Sequence, residues 1–321
     1  MSDPLLEVNG LKKYYEEQAG IRKTHTRPVK AVDGVSFTIG RGEVFGLAGE
    51  SGSGKSSIGK TILRLQEKTG GDVYFQGRDV FRMNRRELKK FRSEAQLIFQ
   101  DPFSSLNPRR RIGEAIGEAM IEHQLASKRD ARDKAAEVLE ACGLSSHYID
   151  RYPHEFSGGQ RQRIVIARAM ALEPQFIIMD EPVAALDVSI QAQMINLFSS
   201  LQKKHQLSYL FISHDLSVVE HLCTKIAIMY LGTIVEYTSK EQLFSRPLHP
   251  YTQALLSAVP IPDPGAKRER IMLKGDIPSP SDPPSGCKFR TRCPAAKKIC
   301  AEKSPILIDK GHQHYAACHF V

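Results

Sequence analysis

No apolar run in this 321-residue sequence approaches the roughly 20 residues that a helix needs to cross a bilayer. Runs such as "FIIMD" and "KIAIMYLG" stop well short of it. The chain is therefore expected not to span a membrane by itself. Its start, MSDPLLEVNG, lacks a basic stretch followed by an apolar core, so no secretion signal is expected. Cysteine is scarce over most of the length, yet four of the six cysteines, Cys287, Cys293, Cys300 and Cys318, fall in the last 35 residues. A disulfide knot, a zinc site and an iron-sulfur cluster compete to explain them. An intracellular chain keeps its thiols reduced, which disfavours the knot and favours metal ligation. The sequence also lacks internal repeats and long low-complexity tracts. With 41% hydrophobic and 25% charged residues it excludes the disordered class and is long enough for one large domain with appendages.

The net charge of +9 is unevenly placed. From Pro264 onward there are 11 Lys and Arg against 5 Asp and Glu, so +6 of the +9 lies beside the cysteines. A solvated basic tail and a functional patch both fit that count. The tail lacks the interleaved aromatics that stack on single strands, so no nucleic-acid partner is expected.

Short β-branched or apolar runs alternate with longer segments of helical period, the pattern of a parallel sheet covered by helices. Strands are expected at Glu43 to Leu47, Ala95 to Phe99, Phe176 to Met179, Ser208 to Ile212 and Lys225 to Met229. Between Ile112 and Ala141 only helical repeats occur, at Ile112, Ile116, Met120, Ala135, Val138 and Leu139, which suggests a helical insertion into an α/β core. After an amphipathic helix at Tyr251 to Val259 the chain changes to "PIPDPG" and "PSPSDPPSG", read as extended linker around a small terminal module. The expected division is an α/β domain over 1–250, with its helical subdomain at about 103–165, and a terminal module over 251–321.

The run "GLAGESGSGKSS" follows a strand and opens a helix, and Gly49 to Ser56 fits G-x-x-x-x-G-K-[ST] in full. A loop of this composition lets its backbone wrap a phosphate, here through Gly49, Ser51, Gly52, Ser53 and Gly54, with Ser57 at the helix start. Lys55 reaches the β and γ phosphates and the Ser56 hydroxyl ligates Mg²⁺. In "FIIMDEP" a buried strand delivers Asp180 and Glu181 to its carboxyl end, where ligands bind in open α/β sheets. Asp180 is placed to hold Mg²⁺ through water and Glu181 to act as general base on the attacking water. The bland readings are a glycine-rich turn for the first motif and a helix cap for the second.

A third motif, "FSGGQRQR" at Phe156 to Arg163, lies between these two. With it the chain, over about residues 5 to 245, resembles the nucleotide-binding subunits of ATP-binding cassette (ABC) transporters. The resemblance implies a P-loop NTPase core with a parallel sheet, an antiparallel β subdomain and an inserted helical subdomain. It implies that Ser157, Gly158, Gly159 and Gln160 open a helix facing the γ-phosphate bound by an opposite subunit. It also implies that Gln100 in "IFQDP" senses Mg²⁺ and the attacking water, that His214 in "FISHD" contacts the γ-phosphate, and that Asp187 in "AALD" sits at the subunit interface. Tyr15 in "KKYY" would stack on adenine, with Tyr14 beside it as the alternative. Two departures are Ala184, where relatives often carry Ser, and Phe156 in place of the commoner Leu.

"IFQDPFSSLNPR", "PVAALDVSIQAQ", "HPYTQALLSAVP" and the extra segment "EEQAGIRKTHTRPVKAVDGVSF" resemble the dipeptide/oligopeptide permease group, and its second ATPase type in particular. The implied function is ATP-driven import of di- or oligopeptides, with nickel or a sugar as alternative cargo. The implied partners are a second ATPase subunit forming a heterodimer, two transmembrane permease subunits and an extracytoplasmic peptide-binding protein, at the cytoplasmic face of the membrane. A soluble cassette ATPase of translation or DNA repair, or a regulatory cassette that does not hydrolyse ATP, are the rivals. The "GC-FRTRCP" tail of the resembled group is associated with a [4Fe-4S] cluster. Gaps of five, six and seventeen residues between the cysteines do not form paired C-x-x-C knuckles, and four thiolates in a loop-rich module suit that cluster. Lys288, Arg290, Arg292, Lys297 and Lys298 would offset its charge. Zinc stays open, with His312, His314 or His319 replacing a cysteine.

Overall fold

In the computed structural model the described residues are 3–16, 28–101, 105–259 and 270–321. Half of the long N-terminal insertion signature (17–27), residues 102–104 of "DPFSSLNPR" and the "PIPDPG" linker lie outside them. The strands are β1 (Leu6–Tyr15), β2 (Val29–Ile39), β3 (Val44–Ala48), β4 (Gly70–Phe75), β5 (Arg78–Asp79), β6 (Ala95–Ile98), β7 (Phe176–Asp180), β8 (Ser208–Ser213), β9 (Lys225–Tyr230), β10 (Thr233–Ser239), β11 (Ile308–Asp309) and β12 (Tyr315–Ala316). The helices used below are α1 (Lys55–Ile62), α2 (Arg85–Glu94), α3 (Ile112–Glu122), α4 (Ala131–Ala141), α5 (Gly158–Met170), α6 (Val188–His205), α7 (Leu216–Leu222), α8 (Lys240–Ser245) and α9 (Pro250–Ser257). The five strands expected from apolar runs all form, each within a residue of its expected end.

The chain divides into two compact units. The first comprises residues 1–39, 44–81 and 213–321. Its antiparallel sheet runs β2-β1-β4-β5, with Leu6 opposite Ile39 and Phe75. One face of this sheet is buried through Leu6, Val8, Val35, Phe37 and Ile39, and the residues between them stay open, as a half-solvated antiparallel sheet requires. A second set of strands in this unit runs β11-β12-β10-β9-β3, in which β3 and β9 are parallel. β3 is buried along its whole length, which explains why it reads as an unbroken apolar run. The terminal strand β12 pairs with β10, and Ala317 donates to the Val235 carbonyl at 2.8 Å. The segment around β12 is thus built into the sheet between β10 and β11.

The second unit comprises residues 40–43 and 82–212. Its strands β6, β7 and β8 are parallel, with Ile178 opposite Leu97 and Leu210, and β7 and β8 are buried throughout. The expected helical insertion is α3, α4 and α5, packed on one another through Ile112, Ile116, Met120, Ala135, Leu139 and Ile164. Cys142 at the end of α4 is fully buried there, and burial pushes its thiol up to about 12. Cys223 in the first unit lies against Gly46, so both early cysteines are core residues. No described helix is long and apolar enough to cross a membrane.

Candidate nucleotide-binding site

The phosphate loop is shaped by positions that admit no side chain. Gly54 has φ 103°, and a Cβ there would sit 1.9 Å from the Ala31 carbonyl oxygen. Gly49 has φ 151°, and its Cβ would meet the Met229 carbonyl at 2.2 Å. Both contacts are to backbone, which cannot yield, so only glycine fits. The loop ends on α1, whose first residue is Lys55, so the backbone N–H groups of the first turn and the positive end of the helix are presented together. The buried Lys55 ammonium donates to the carbonyls of Gly49 at 2.7 Å and Glu50 at 2.9 Å and to Ser53 Oγ at 3.4 Å. Gly232 N–H donates to the Ser53 carbonyl at 2.9 Å. Ser51 and Gly52 are exposed, and Ser56 and Ser57 are half-buried in the first turn of α1.

Tyr15, at the end of β1, donates to Gln66 Oε1 at 2.5 Å and lies 3.2 Å from Ser57 Oγ, with the Lys13 ammonium 4.7 Å above its ring. Its ring is thus placed beside the first turn of α1. Tyr14 donates to Asp33 Oδ1 at 2.6 Å, and burial together with that carboxylate pushes its hydroxyl up to about 12. Tyr14 is thus tied to Asp33, whereas Tyr15 is tied to the first turn of α1. His214 follows β8 directly and is exposed.

In the second unit β7 ends on Asp180, which is 6% exposed, and the next residue, Glu181, is in the left-handed region with φ 50°. Its N–H donates to the Ile212 carbonyl at 2.9 Å, so the turn is held by the neighbouring strand. A non-glycine residue in this conformation is strained, and strain of this kind concentrates at functional sites. Gln100 Nε2 donates to Glu181 Oε2 at 3.1 Å. Two residues 81 positions apart are thus hydrogen-bonded at the ends of adjacent parallel strands. Ser157 and Gln160 form a capping box on α5, Gln160 N to Ser157 Oγ at 3.4 Å and Ser157 N to Gln160 Oε1 at 3.0 Å. A Cβ on Gly159 would meet Ile190 Cγ2 at 2.6 Å, in the first turn of α6. Asp187 caps that helix, accepting from Ile190 N at 3.1 Å and Ser189 Oγ at 2.9 Å. Ser157 and Asp187 are exposed, so each combines a capping role with a surface-facing side chain.

The four late cysteines line one cavity of about 230 Å³ in the first unit, together with His249, Phe289 and His319. They are free thiols, Cys287 N–H donates to the Cys300 carbonyl at 2.7 Å, and burial, with the neighbouring thiols adding to it, raises Cys287 and Cys293. Among the described residues no group of three or more His, Cys, Asp or Glu side chains is arranged to hold a metal ion. Four of the five basic residues expected to offset the thiolate charge have partners of their own. Lys288 reaches Asp33 at 3.0 Å and the Leu231 carbonyl at 2.9 Å, Arg290 closes on the Ser285 carbonyl at 2.8 Å, and Lys297 lies over Phe320. Arg292 grips Glu50 through two hydrogen bonds, of 2.6 and 3.0 Å. His314 does not line the cavity: it is buried against Glu236 at 2.7 Å, a carboxylate that also accepts from Leu248 N and His249 N. The pairings of Glu50 with Arg292 and of Glu236 with His314 span 242 and 78 positions and carry no sequence signal.

A family profile described as ABC transporter matches residues 32–184, and one described as oligopeptide/dipeptide transporter, C-terminal region, matches residues 235–300. An oligopeptide transport ATP-binding protein of Bacillus subtilis, AppF, is 50% identical over 320 residues, covering 99% of this chain and 97% of its own. A putative peptide import ATP-binding protein of Brucella ovis is 53% identical, covering 98% and 97%. Among solved structures, the dimeric cassette MJ0796 bound to ADP and phosphate is 26% identical with a TM-score of 0.64, covering 73% of this chain and 98% of its own. A Clostridium perfringens cassette, cbiO1, at 23% identity and a TM-score of 0.65, shares the fold. A phosphate loop closed by glycines, a strained Glu181 paired with Gln100 and these full-length matches lead to one conclusion: the chain is an ABC-type ATPase and belongs to the family of oligopeptide/dipeptide transporter ATP-binding proteins.

Proposed function

We propose that this chain is the ATP-hydrolysing subunit of a binding-protein-dependent importer of di- or oligopeptides. The names of its full-length relatives favour peptide over nickel or sugar as cargo. Lys55 and the backbone of Gly49 to Gly54 hold the phosphates, Ser56 and Asp180 hold Mg²⁺, and Tyr15 stacks on the base. Glu181 takes the proton of the attacking water, Gln100 positions that water, and His214 reads the γ-phosphate. Ser157, Gly158, Gly159 and Gln160, with Asp187, serve a nucleotide bound by an opposing subunit, so two subunits must close face to face. The observation that carries the reading is the hydrogen bond between Gln100 and Glu181, which joins the expected base to the expected sensor.

Import implies two permease chains and an extracytoplasmic binding protein, and places this subunit at the cytoplasmic face of the membrane. A cleft of about 760 Å³ in the second unit, lined by Phe99, Leu97, Glu118, His123, Arg168 and Leu172, supports permease contact near Gln100. Phe99 is 40% exposed there. Residues 1–250 act as the cassette and 251–321 as an added module. In that module the shared cavity supports reading Cys287, Cys293, Cys300 and Cys318 as the ligands that would gather on a [4Fe-4S] cluster, which would supply closure to a loop-rich segment. His319 is the one expected histidine that lines the cavity and would complete a zinc site instead.

Affinity purification of the tagged subunit from membranes tests the assembly. Two permeases and a second cassette protein should co-purify, and ATPase activity should rise on their addition. Recovery with nucleic acid and no membrane protein would replace this reading with that of a soluble cassette ATPase.

A further inference from the structure

The proposed chemistry uses the cassette alone and leaves the terminal module without a task. We propose that this module braces the phosphate loop and that Arg292 is its positioning residue, acting through Glu50 to set the loop's affinity for the nucleotide phosphates. The proposal rests on the reading of Gly49 to Ser56 as the phosphate loop.

Glu50 is held at three points. Its carboxylate accepts both Arg292 Nη atoms, at 2.6 and 3.0 Å, its N–H donates to Tyr251 Oη at 3.0 Å, and its carbonyl accepts from Lys55 Nζ at 2.9 Å. The residue that Arg292 grips therefore also bonds the lysine that meets the phosphates. Arg292 is 9% exposed, and its fork fixes direction as well as distance, which a single ammonium cannot do. A largely buried ion pair is weak evidence for stability, so its geometry is the better explanation for its place here. The module also reaches the far side of the loop. Lys288 Nζ donates to the Leu231 carbonyl at 2.9 Å, and the next residue, Gly232, donates its N–H to the Ser53 carbonyl at 2.9 Å. Between the two contacts Phe289, 1% exposed, is packed against the rings of Tyr230 and Tyr251, with centroids 5.3 Å away in each case. The module is fastened by an aromatic cluster, touches one arm of the loop at Glu50 and reaches the other through Leu231 and Gly232.

The test is titration of the full-length chain with a fluorescent ATP analogue and Mg²⁺, alongside urea unfolding without nucleotide. Arg292→Lys and Glu50→Gln should each weaken binding about tenfold, the loss expected when one charge-assisted hydrogen bond is removed. The double variant should be no weaker than the weaker single, because both act through one contact. Arg290→Ala, which loosens the module's own contact with Ser285, should bind as the unaltered chain does. Lys55→Ala should abolish binding; full binding by that variant overturns the loop reading itself. Loss in Lys55→Ala with native affinity in both Arg292→Lys and Glu50→Gln overturns the brace alone. Additive losses in the double variant, or an equal loss in Arg290→Ala, also overturn it. If Arg292→Lys fails to fold, the near-isosteric Glu50→Gln, whose side chain is partly exposed, decides by the same criterion.

Discussion

In the proposed mechanism Glu181 carries the heaviest demand placed on any one residue: it would accept a proton while sitting in a backbone conformation that most residues avoid. The Ile212 carbonyl and the Gln100 amide hold it there, so the strain is maintained by the two flanking strands. Glu181→Gln keeps the shape and the hydrogen-bonding reach but removes the base. ATP binding should persist and hydrolysis in the assembled transporter should fall by about two to four orders of magnitude, the usual worth of a positioned general base. Near-normal turnover in a single-turnover assay would remove Glu181 from that role. At this scale the shape of the phosphate loop was legible in the sequence, because it needs glycine where backbone meets backbone, as at Gly54 against Ala31. Arg292 and Glu50 were not legible. Their pairing is a product of tertiary packing, and a basic run beside cysteines reads as charge compensation when partners are unknown.

Among the elements, the α5 N-terminus and the terminal module invite separate tests. Ser157 caps α5, so Ser157→Ala should cost about 1 kcal/mol of stability in urea unfolding. Ser157→Asp retains a good cap and should unfold near the unaltered protein. Its carboxylate would face the partner's γ-phosphate, so that variant should be stable and yet inactive in the assembled transporter. Activity in Ser157→Asp would reduce Ser157 to a cap. Phe289→Ala should cost about 3–5 kcal/mol, because it empties the centre of the cluster with Tyr230, Tyr251 and His249. A loss under 1 kcal/mol would show that the module is not fastened there. Chain purified without oxygen should contain about four iron and four sulfide; one stoichiometric zinc would assign the cavity to the alternative. The buried parallel strands were readable as continuous apolar runs, as in "FIIMD" for β7. β1, β2 and β10 escaped notice as strands, although Val35, Phe37 and Ile39 alternate with polar residues at the antiparallel period. Bulges in β1 blur that period, since its register with β2 shifts three times. The integration of the last residues through β12 depends on two residue pairs with β10, too few to leave a pattern.

For the whole molecule, the decisive feature is that the proposed γ-phosphate contacts of Ser157 to Gly159 belong to a nucleotide held by another chain. ATPase activity of the isolated subunit should be low, and its specific activity should rise with concentration or on adding the partner cassette. Full activity independent of concentration would show a self-sufficient monomer. The cargo is the part of the account furthest from the sequence, because no residue of this chain touches it in the proposed mechanism. The most direct measurement is ATP-driven uptake of a labelled oligopeptide into vesicles that contain the permeases and binding protein, with this subunit and its partner cassette supplied from the ATP side. Uptake should require both subunits and ATP, and should vanish with Glu181→Gln although that variant still binds ATP. Uptake that proceeds unchanged with Glu181→Gln, or ATP hydrolysis by the complete assembly with no peptide accumulated, would contradict the account.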